Sequence, residues 1–163
     1  IEHIVHIGSA GETAMYLITG TDLPLLPLAA SIKLHELKRS RGDDVLILVF
    51  HENSYGVNIS ARGTGLKIHC GFLMNALANR MNVKFGLGDG VSGGGHAKAG
   101  ECIASVQRVP REKILRELTV LVQEITLMDD LYKRGTLPRS GYERADDLGL
   151  KYMSRSMPNE NKV

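Results

Sequence analysis

The sequence predicts an α/β fold, a mixed sheet of at least three strands flanked by helices. Three observations carry that reading. Residues 45–50 (VLILVF) form an unbroken apolar run between turn signals, as a buried strand does. Residues 57–61 (VNISA) alternate apolar and polar, the period of a half-buried strand. Ile114, Leu118, Leu121, Ile125 and Met128 recur at helical spacing and mark an amphipathic helix. Helices and strands interleaved in this way build a layered sandwich.

In chain order, residues 3–7 read as a short strand, and Pro24 and Pro27 interrupt any early helix, because proline lacks an amide donor. Residues 29–39 turn helical, with Ile32, Leu34 and Leu37 set against Lys33, Glu36, Lys38 and Arg39. Lys38, Arg39 and Arg41 suit a helix C-terminus, and Gly42 is a stop signal. The run 45–50 is the next strand; Asn53, Ser54, Tyr55 and Gly56 make a turn, and 57–61 pairs back as a hairpin. Residues 71–81 read as a short amphipathic helix with Phe72, Leu73, Ala76, Leu77 and Ala78 available for burial. A glycine-rich loop follows, then a strand at 102–106, then Pro110 at the first position of the last helix. Residues 133–163 hold seven basic and four acidic side chains among few apolar ones, which reads as a loosely packed basic tail. The expected organisation is a segment 1–42 carrying a helix (an N-terminal segment or linker remnant), a central domain 43–132, and the tail 133–163.

Composition sets outer limits. A chain of 163 residues fits one domain, and 43% hydrophobic with 23% charged residues is ordinary for a soluble globular protein. A net charge of +2 does not by itself argue for a nucleic acid or a membrane. No apolar run approaches the ~18–20 residues a bilayer span needs, so no membrane partner is expected. Cys70 and Cys102 make no disulfide framework, and a reducing, cytoplasmic setting is the expectation. The chain opens on Ile1, which reads as a processed chain or a piece of a longer one.

The most informative feature is glycine. Of 18 glycines, Gly86, Gly88, Gly90, Gly93, Gly94, Gly95 and Gly100 fall within fifteen residues. Consecutive glycines let the backbone approach a ligand and turn its N–H groups inward, a concavity suited to anions and above all to phosphate. His96 and Lys98 follow at once, each able to donate to a phosphate oxygen, and a short helix starting near His96 would add its N-terminal field. Residues 88–93 (GDGVSG) match the dinucleotide fingerprint literally but lack the long helix that must follow. No G-K-[ST] occurs, which excludes a P-loop.

Residues 93–99 (GGGHAKA) resemble the G-G-G-H-x-x-A-A-G signature of the DHH-associated C-terminal domain of DHH phosphoesterases, a superfamily of RecJ-like exonucleases, nanoRNA and pAp phosphatases, and cyclic-dinucleotide phosphodiesterases. Residues 57–62 (VNISAR) are similar to the strand that carries S-x-R in that family, and the resemblance covers roughly residues 43–125. It implies that Gly93, Gly94, Gly95 and His96 bind the phosphate or terminal nucleotide of a substrate, with Lys98 beside them. It implies that Arg62 contacts phosphate with Ser60 next to it; a guanidinium suits bidentate phosphate contact. The chain departs from the signature after Ala99: where the family continues Ala-Gly, this sequence has Gly100 and Glu101, a carboxylate near the proposed anion site.

The superfamily's catalytic half holds two divalent metals, Mn or Mg, on Asp and His ligands that include D-H-H. No D-H-H occurs here, and the pairs Asp43-Asp44, Asp129-Asp130 and Asp146-Asp147 have no nearby His. His3 and His6 form at best a weak metal clip, His51-Glu52 reads as a turn-facing polar pair, and His35 and His69 as ordinary packed or surface histidines. Cys70 and Cys102 lack zinc spacing, and Ser92 has only His96, close in sequence, as a base. No catalytic residue and no cofactor is therefore assigned to this chain. The expected function is substrate recognition for a DHH-type phosphoesterase or exonuclease. The expected partners are single-stranded nucleic acid, a short oligonucleotide or a nucleotide, together with the catalytic DHH domain; a homo-oligomer is compatible. With eight Phe and Tyr and no Trp, an extended stacking platform is not expected. Two alternatives stand beside this: a stand-alone hydrolase built on His96, and a degenerate assembly domain without ligand.

Overall fold

The structure, a computed structural model, describes residues 3–19, 26–41, 44–52, 56–104 and 109–154. Its centre is a six-stranded mixed sheet in the order β1-β2-β3-β4-β6-β5. The strands are β1 (His3–Ala10), β2 (Thr13–Thr19), β3 (Val45–Glu52), β4 (Val57–Gly63), β5 (Ser92–His96) and β6 (Ala99–Ala104). The helices are α1 (Leu26–Arg41), α2 (Cys70–Phe85), α3 (Arg111–Lys133), α4 (Arg139–Asp147) and the single turn α5 (Lys151–Ser154). All neighbouring strands pair antiparallel except β2 and β3, which run parallel and are connected through α1. Among the described residues no helix is long and apolar enough to cross a membrane.

The expected hairpin β3–β4 is present, with Val49 opposite Ser60 and Ile47 opposite Arg62. Residues 53–55 of its expected turn lie outside the described residues. One face of the sheet carries the main core: Met15, Leu46, Leu48, Phe50, Val57, Ile59, Ala61 and Cys102 pack against α2 and α3. The predicted stripe of α3 lies in that core, with Ile114, Leu118, Leu121, Ile125 and Met128 all buried. On the opposite face α1 covers Ile18, Val45, Ile47 and Val49 with Leu34 and Leu37. Each such side chain withdrawn from water contributes roughly 1.5–3 kcal/mol, so the two layers together hold the sheet.

Several expectations are corrected. The segment before α1 is a full hairpin, whose two-residue turn places Gly11 at φ 55 and Glu12 at φ 69. Those angles are the type I′ geometry that matches strand twist. Gly11-Glu12 is not one of the dipeptides that advertise such a turn, so β2 went unseen in the sequence. Helix α1 starts at Leu26, so Pro27 sits inside its first turn, where the missing N–H has no intrahelical partner to lose. Pro110 is the N-cap of α3 rather than its first residue. The glycine-rich segment is not a loop at residues 92–96 but strand β5, and no helix starts at His96, which ends that strand. Strand β6 starts at Ala99 rather than residue 102, and residues 105–106 of the expected strand lie outside the described residues.

The loose packing expected after Lys133 is also corrected, as far as Met153. Ala145, Leu148, Leu150 and Met153 are fully buried and Tyr142 nearly so, because the few apolar residues of this segment pack into the core. Asp129, 4% exposed, ties the two ends together: it accepts from Gly11 N (3.0 Å) and Tyr152 Oη (2.7 Å) and pairs with Lys133 at 2.9 Å. Residues 155–163 lie outside the described residues.

Candidate functional site

Helix α1 lies mainly over β3 and also touches β4. Most of the same face beyond β3 is open. Strand register puts Asn58, Ser60 and Arg62 of β4 on it, beside Ile103, Glu101 and Ala99 of β6, beside Ser92, Gly94 and His96 of β5. Residues directly opposite in paired strands share a face, and successive residues alternate, so these nine positions form a three-by-three array. An open concavity of about 520 Å³ lies over it, lined by Ser60, Arg62, Ser92, Gly93, Gly94, Gly95, Gly100, Glu101 and neighbours. Ile103 is 48% exposed there.

The glycines divide into two jobs. A Cβ on Gly93 would lie 2.2 Å from Met74 O, and one on Gly71 2.2 Å from Gly95 O. One on Gly100 would lie 2.7 Å from Cys70 O. These three, on the α2 side, let the helix lie directly on the β5–β6 backbone. Gly95 has φ 138, a conformation side-chain-bearing residues avoid. A Cβ on Gly94 would meet nothing within 4 Å. Gly93, Gly94 and Gly95 all line the concavity, but only at Gly94 would a Cβ find open space, and its bareness opens the floor.

The polar groups of the array are specific in their bonding. Arg62 Nε is buried and has no hydrogen-bond partner. Such an orphan donor is uncommon, since buried polar groups are nearly always paired. Glu101 Oε2 accepts from Asn58 Nδ2 at 3.1 Å, and Ser60 Oγ donates to Asn58 Oδ1 at 3.4 Å. Arg62 and His96 lie on either side of Ala99, two strand spacings or about 10 Å apart at the backbone. The small Ala99 side chain leaves the space between them open. The His96 ring accepts from Lys98 N through Nδ1 at 3.4 Å, which leaves Nε2 available as a donor. His96 and Lys98 are exposed and stand at the rim, outside the residues that line the concavity.

The sequence singled out Ser60, Arg62, Gly93, Gly94, Gly95, His96 and Lys98. The fold brings the first five to the concavity and the last two to its rim. Asn58 was missed as a site residue, although its two-residue spacing from Ser60 and Arg62 was the available signal. Glu101 does not point away from the array but stands in it, in register with Ser60 and Gly94.

Other chemistry does not converge. Ser92 and His96 are the two ends of an extended strand, about 13 Å apart at ~3.3 Å per residue, too far for nucleophile and base. Residues 3–6 are extended, not the helix-like turn a His clip needs. His51 and Glu52 end β3; His51 is partly buried, and its Nε2 has no partner. His69 caps α2: its Nδ1 accepts from Phe72 N at 3.1 Å and its ring stacks on Phe72. Burial, then the nearby Lys151 charge, lowers the His69 pKa. Cys70 and Cys102 are free and buried, and burial pushes both thiols up to about 12, so neither is a ready nucleophile. Among the described residues no three His, Cys, Asp or Glu side chains group as a metal site. The described part of the chain does not supply a two-metal ligand set.

No protein-family model and no curated protein matches the chain. Solved structures do. The C-Ala domain of alanyl-tRNA synthetase from Aquifex aeolicus is 10% identical, with a TM-score of 0.48, over 70% of this chain and 95% of that one. The DHH domain of a member of a ribosomal-protein family is 18% identical, with a TM-score of 0.50, over 76% of this chain. The chain spans 28% of the length of that second protein. At such identities the likeness is one of fold. The six-stranded mixed sheet with its helical layers is a DHH-associated-like fold.

Proposed function

We propose that this chain is the substrate-recognition part of a DHH-type phosphoesterase or exonuclease, holding the phosphate end of a single-stranded nucleic acid, short oligonucleotide or nucleotide. The observation that carries the reading is the buried, unpartnered Arg62 Nε beneath an open concavity floored by Gly94. A phosphate oxygen is the acceptor that suits it, and a guanidinium can present two parallel donors to one phosphate. Ser60 adds a hydroxyl on the same strand, and His96 and Lys98 add donors from the rim. The array is narrow and carries no Phe, Tyr or Trp side chain, which favours a terminal phosphate with one or two nucleotides over a long stacked strand. The divalent metals of the reaction, Mn or Mg, would belong to a separate DHH domain. This part would contribute by positioning the substrate against them.

The test is fluorescence anisotropy of a labelled, 5′-phosphorylated short oligonucleotide over a salt series. Binding is expected to weaken as salt rises, to need the terminal phosphate, and to fall in an Arg62→Ala, His96→Ala double variant. Equal binding by the folded variant, or none by the native chain at low salt, would remove the phosphate role and leave a protein-assembly domain as the better reading.

A further inference from the structure

We infer that Glu101 makes this site selective for ribonucleotides, by accepting a hydrogen bond from the 2′-hydroxyl of a nucleotide whose phosphate rests on Arg62. The inference depends on the phosphate-binding reading above and adds the substrate class to it.

A carboxylate is out of place in a plain phosphate cradle. Glu101 is exposed on the open face, directly between Ser60 of β4 and Gly94 of β5. Among the described residues it makes no ion pair with Arg62 or with any other cation. It is nonetheless held: Asn58 Nδ2 donates to Oε2 at 3.1 Å, and Asn58 is itself engaged by the Ser60 hydroxyl. That leaves acceptor capacity on the carboxylate, beside the bare Gly94 floor. An ionised carboxylate only accepts, so the ligand group that meets it must be a donor, and a phosphate is not one.

Spacing supplies the rest. Arg62 and Glu101 are diagonal neighbours across β4 and β6, with side chains rooted roughly 7–8 Å apart. A single nucleotide bridges that gap, its phosphate at one end and its ribose hydroxyls at the other. Acidic side chains take ribose hydroxyls in just this sense in other nucleotide sites. The 2′-hydroxyl is the group by which a protein tells RNA from DNA. A deoxynucleotide would cover the carboxylate and offer it no donor, and that unpaired desolvation is the source of discrimination.

The experiment uses the 163-residue chain and three 5′-phosphorylated, 3′-labelled trinucleotide probes: riboadenylate, deoxyadenylate and 2′-O-methyladenylate. Each is titrated against the native chain, Glu101→Gln and Arg62→Ala, with melting curves to confirm folding. Glutamine keeps a carbonyl for Asn58 and removes the charge. The native chain should prefer the ribo probe to both others by on the order of tenfold, the scale of one hydrogen bond to a charged group. In E101Q the ribo probe should lose affinity and the deoxy probe should hold or gain, bringing the ratio within about twofold. Equal ribo and deoxy binding by the native chain, or a ribo preference that survives E101Q, would overturn the role of Glu101. With Arg62 dependence intact, either result leaves phosphate recognition standing. Binding that ignores Arg62→Ala, or absent binding of all three probes, would overturn both.

Discussion

Strands β3 and β4 are paired residue by residue, yet the faces they turn away from the main core have opposite characters. On β3 that face is Val45, Ile47 and Val49, all buried under α1. On β4, one strand spacing away, it is Asn58, Ser60 and Arg62, polar and only partly buried, with the Arg62 Nε atom fully buried. The apolar layer ends at β3, and the polar array starts on β4, where α1 makes its last contacts. A sheet wider than the helix that caps it leaves part of a face bare, and here the bare part carries the unpartnered donor and the held carboxylate. Apolar packing is concentrated on one side of the boundary and the open polar array on the other.

That division can be broken most severely at the glycine hairpin, where the two sides of a single strand differ. Gly93→Ala drives a methyl into the α2 backbone and should cost about 3 kcal/mol or prevent folding. Gly94→Ala, on the open face, should change stability by less than about 0.5 kcal/mol while narrowing the floor of the concavity. Urea unfolding of the two variants side by side decides it; similar losses would mean that β5 is not divided as described.

A second test exchanges character across the boundary. Val49 and Ser60 are direct cross-strand neighbours. Val49→Ser should cost about 2–3 kcal/mol, through lost packing and a hydroxyl set under α1. Ser60→Val should leave the unfolding midpoint nearly unchanged and weaken phosphate binding. Next in size is Arg62 alone: Arg62→Ala should reduce affinity for a 5′-phosphorylated probe by on the order of tenfold without lowering the melting temperature, and Arg62→Lys should fall between.

The smallest effect belongs to His69, at the start of α2. Its folded pKa lies below the ordinary histidine value of 6.5, so the unfolded chain takes up the proton first. Stability is therefore full above about pH 6.5 and declines as pH falls through the lowered folded value. Protonation also removes the Nδ1 acceptor that caps the helix and sets a cation at its positive end. His69→Asn keeps a capping side chain without the titration, so its melting temperature should drift less between neutral and mildly acid pH than that of the native chain. Parallel drifts in the two proteins would show that other groups set the acid limit.

Much of this was legible in the sequence for reasons that the fold makes plain. The β3–β4 hairpin and the α3 stripe announce themselves because their burial follows period two, continuity or period 3.6. The array on β4 was legible in the same way, since an alternating strand shows which residues leave the core. The β1–β2 hairpin was hidden by an uncommon turn pair, Gly11-Glu12. Strand β5 was hidden because three glycines carry a loop composition, and only the nearness of the α2 backbone explains them. Helices α4 and α5 were hidden by their low apolar content, since the position of each apolar residue against the core matters more than their number. Glu101 was noticed as a departure, but its facing followed only from the register of β6 with β4 and β5.

Among the described residues the sheet also has two end strands with no neighbouring strand on one side, and such strands invite pairing with other chains. At the β1 end, protection comes from shape: the register shifts between His6 and Gly8, which interrupts any long flat edge. At the β5 end it comes from composition. Strand β5 is five residues long and three of them are glycine, the residue type least suited to hold a neighbouring strand in register. The glycines that let α2 rest on the sheet therefore also make its outer edge a poor template for self-association. Bulkier residues at these positions would remove the helix contact and expose a stickier strand in one step.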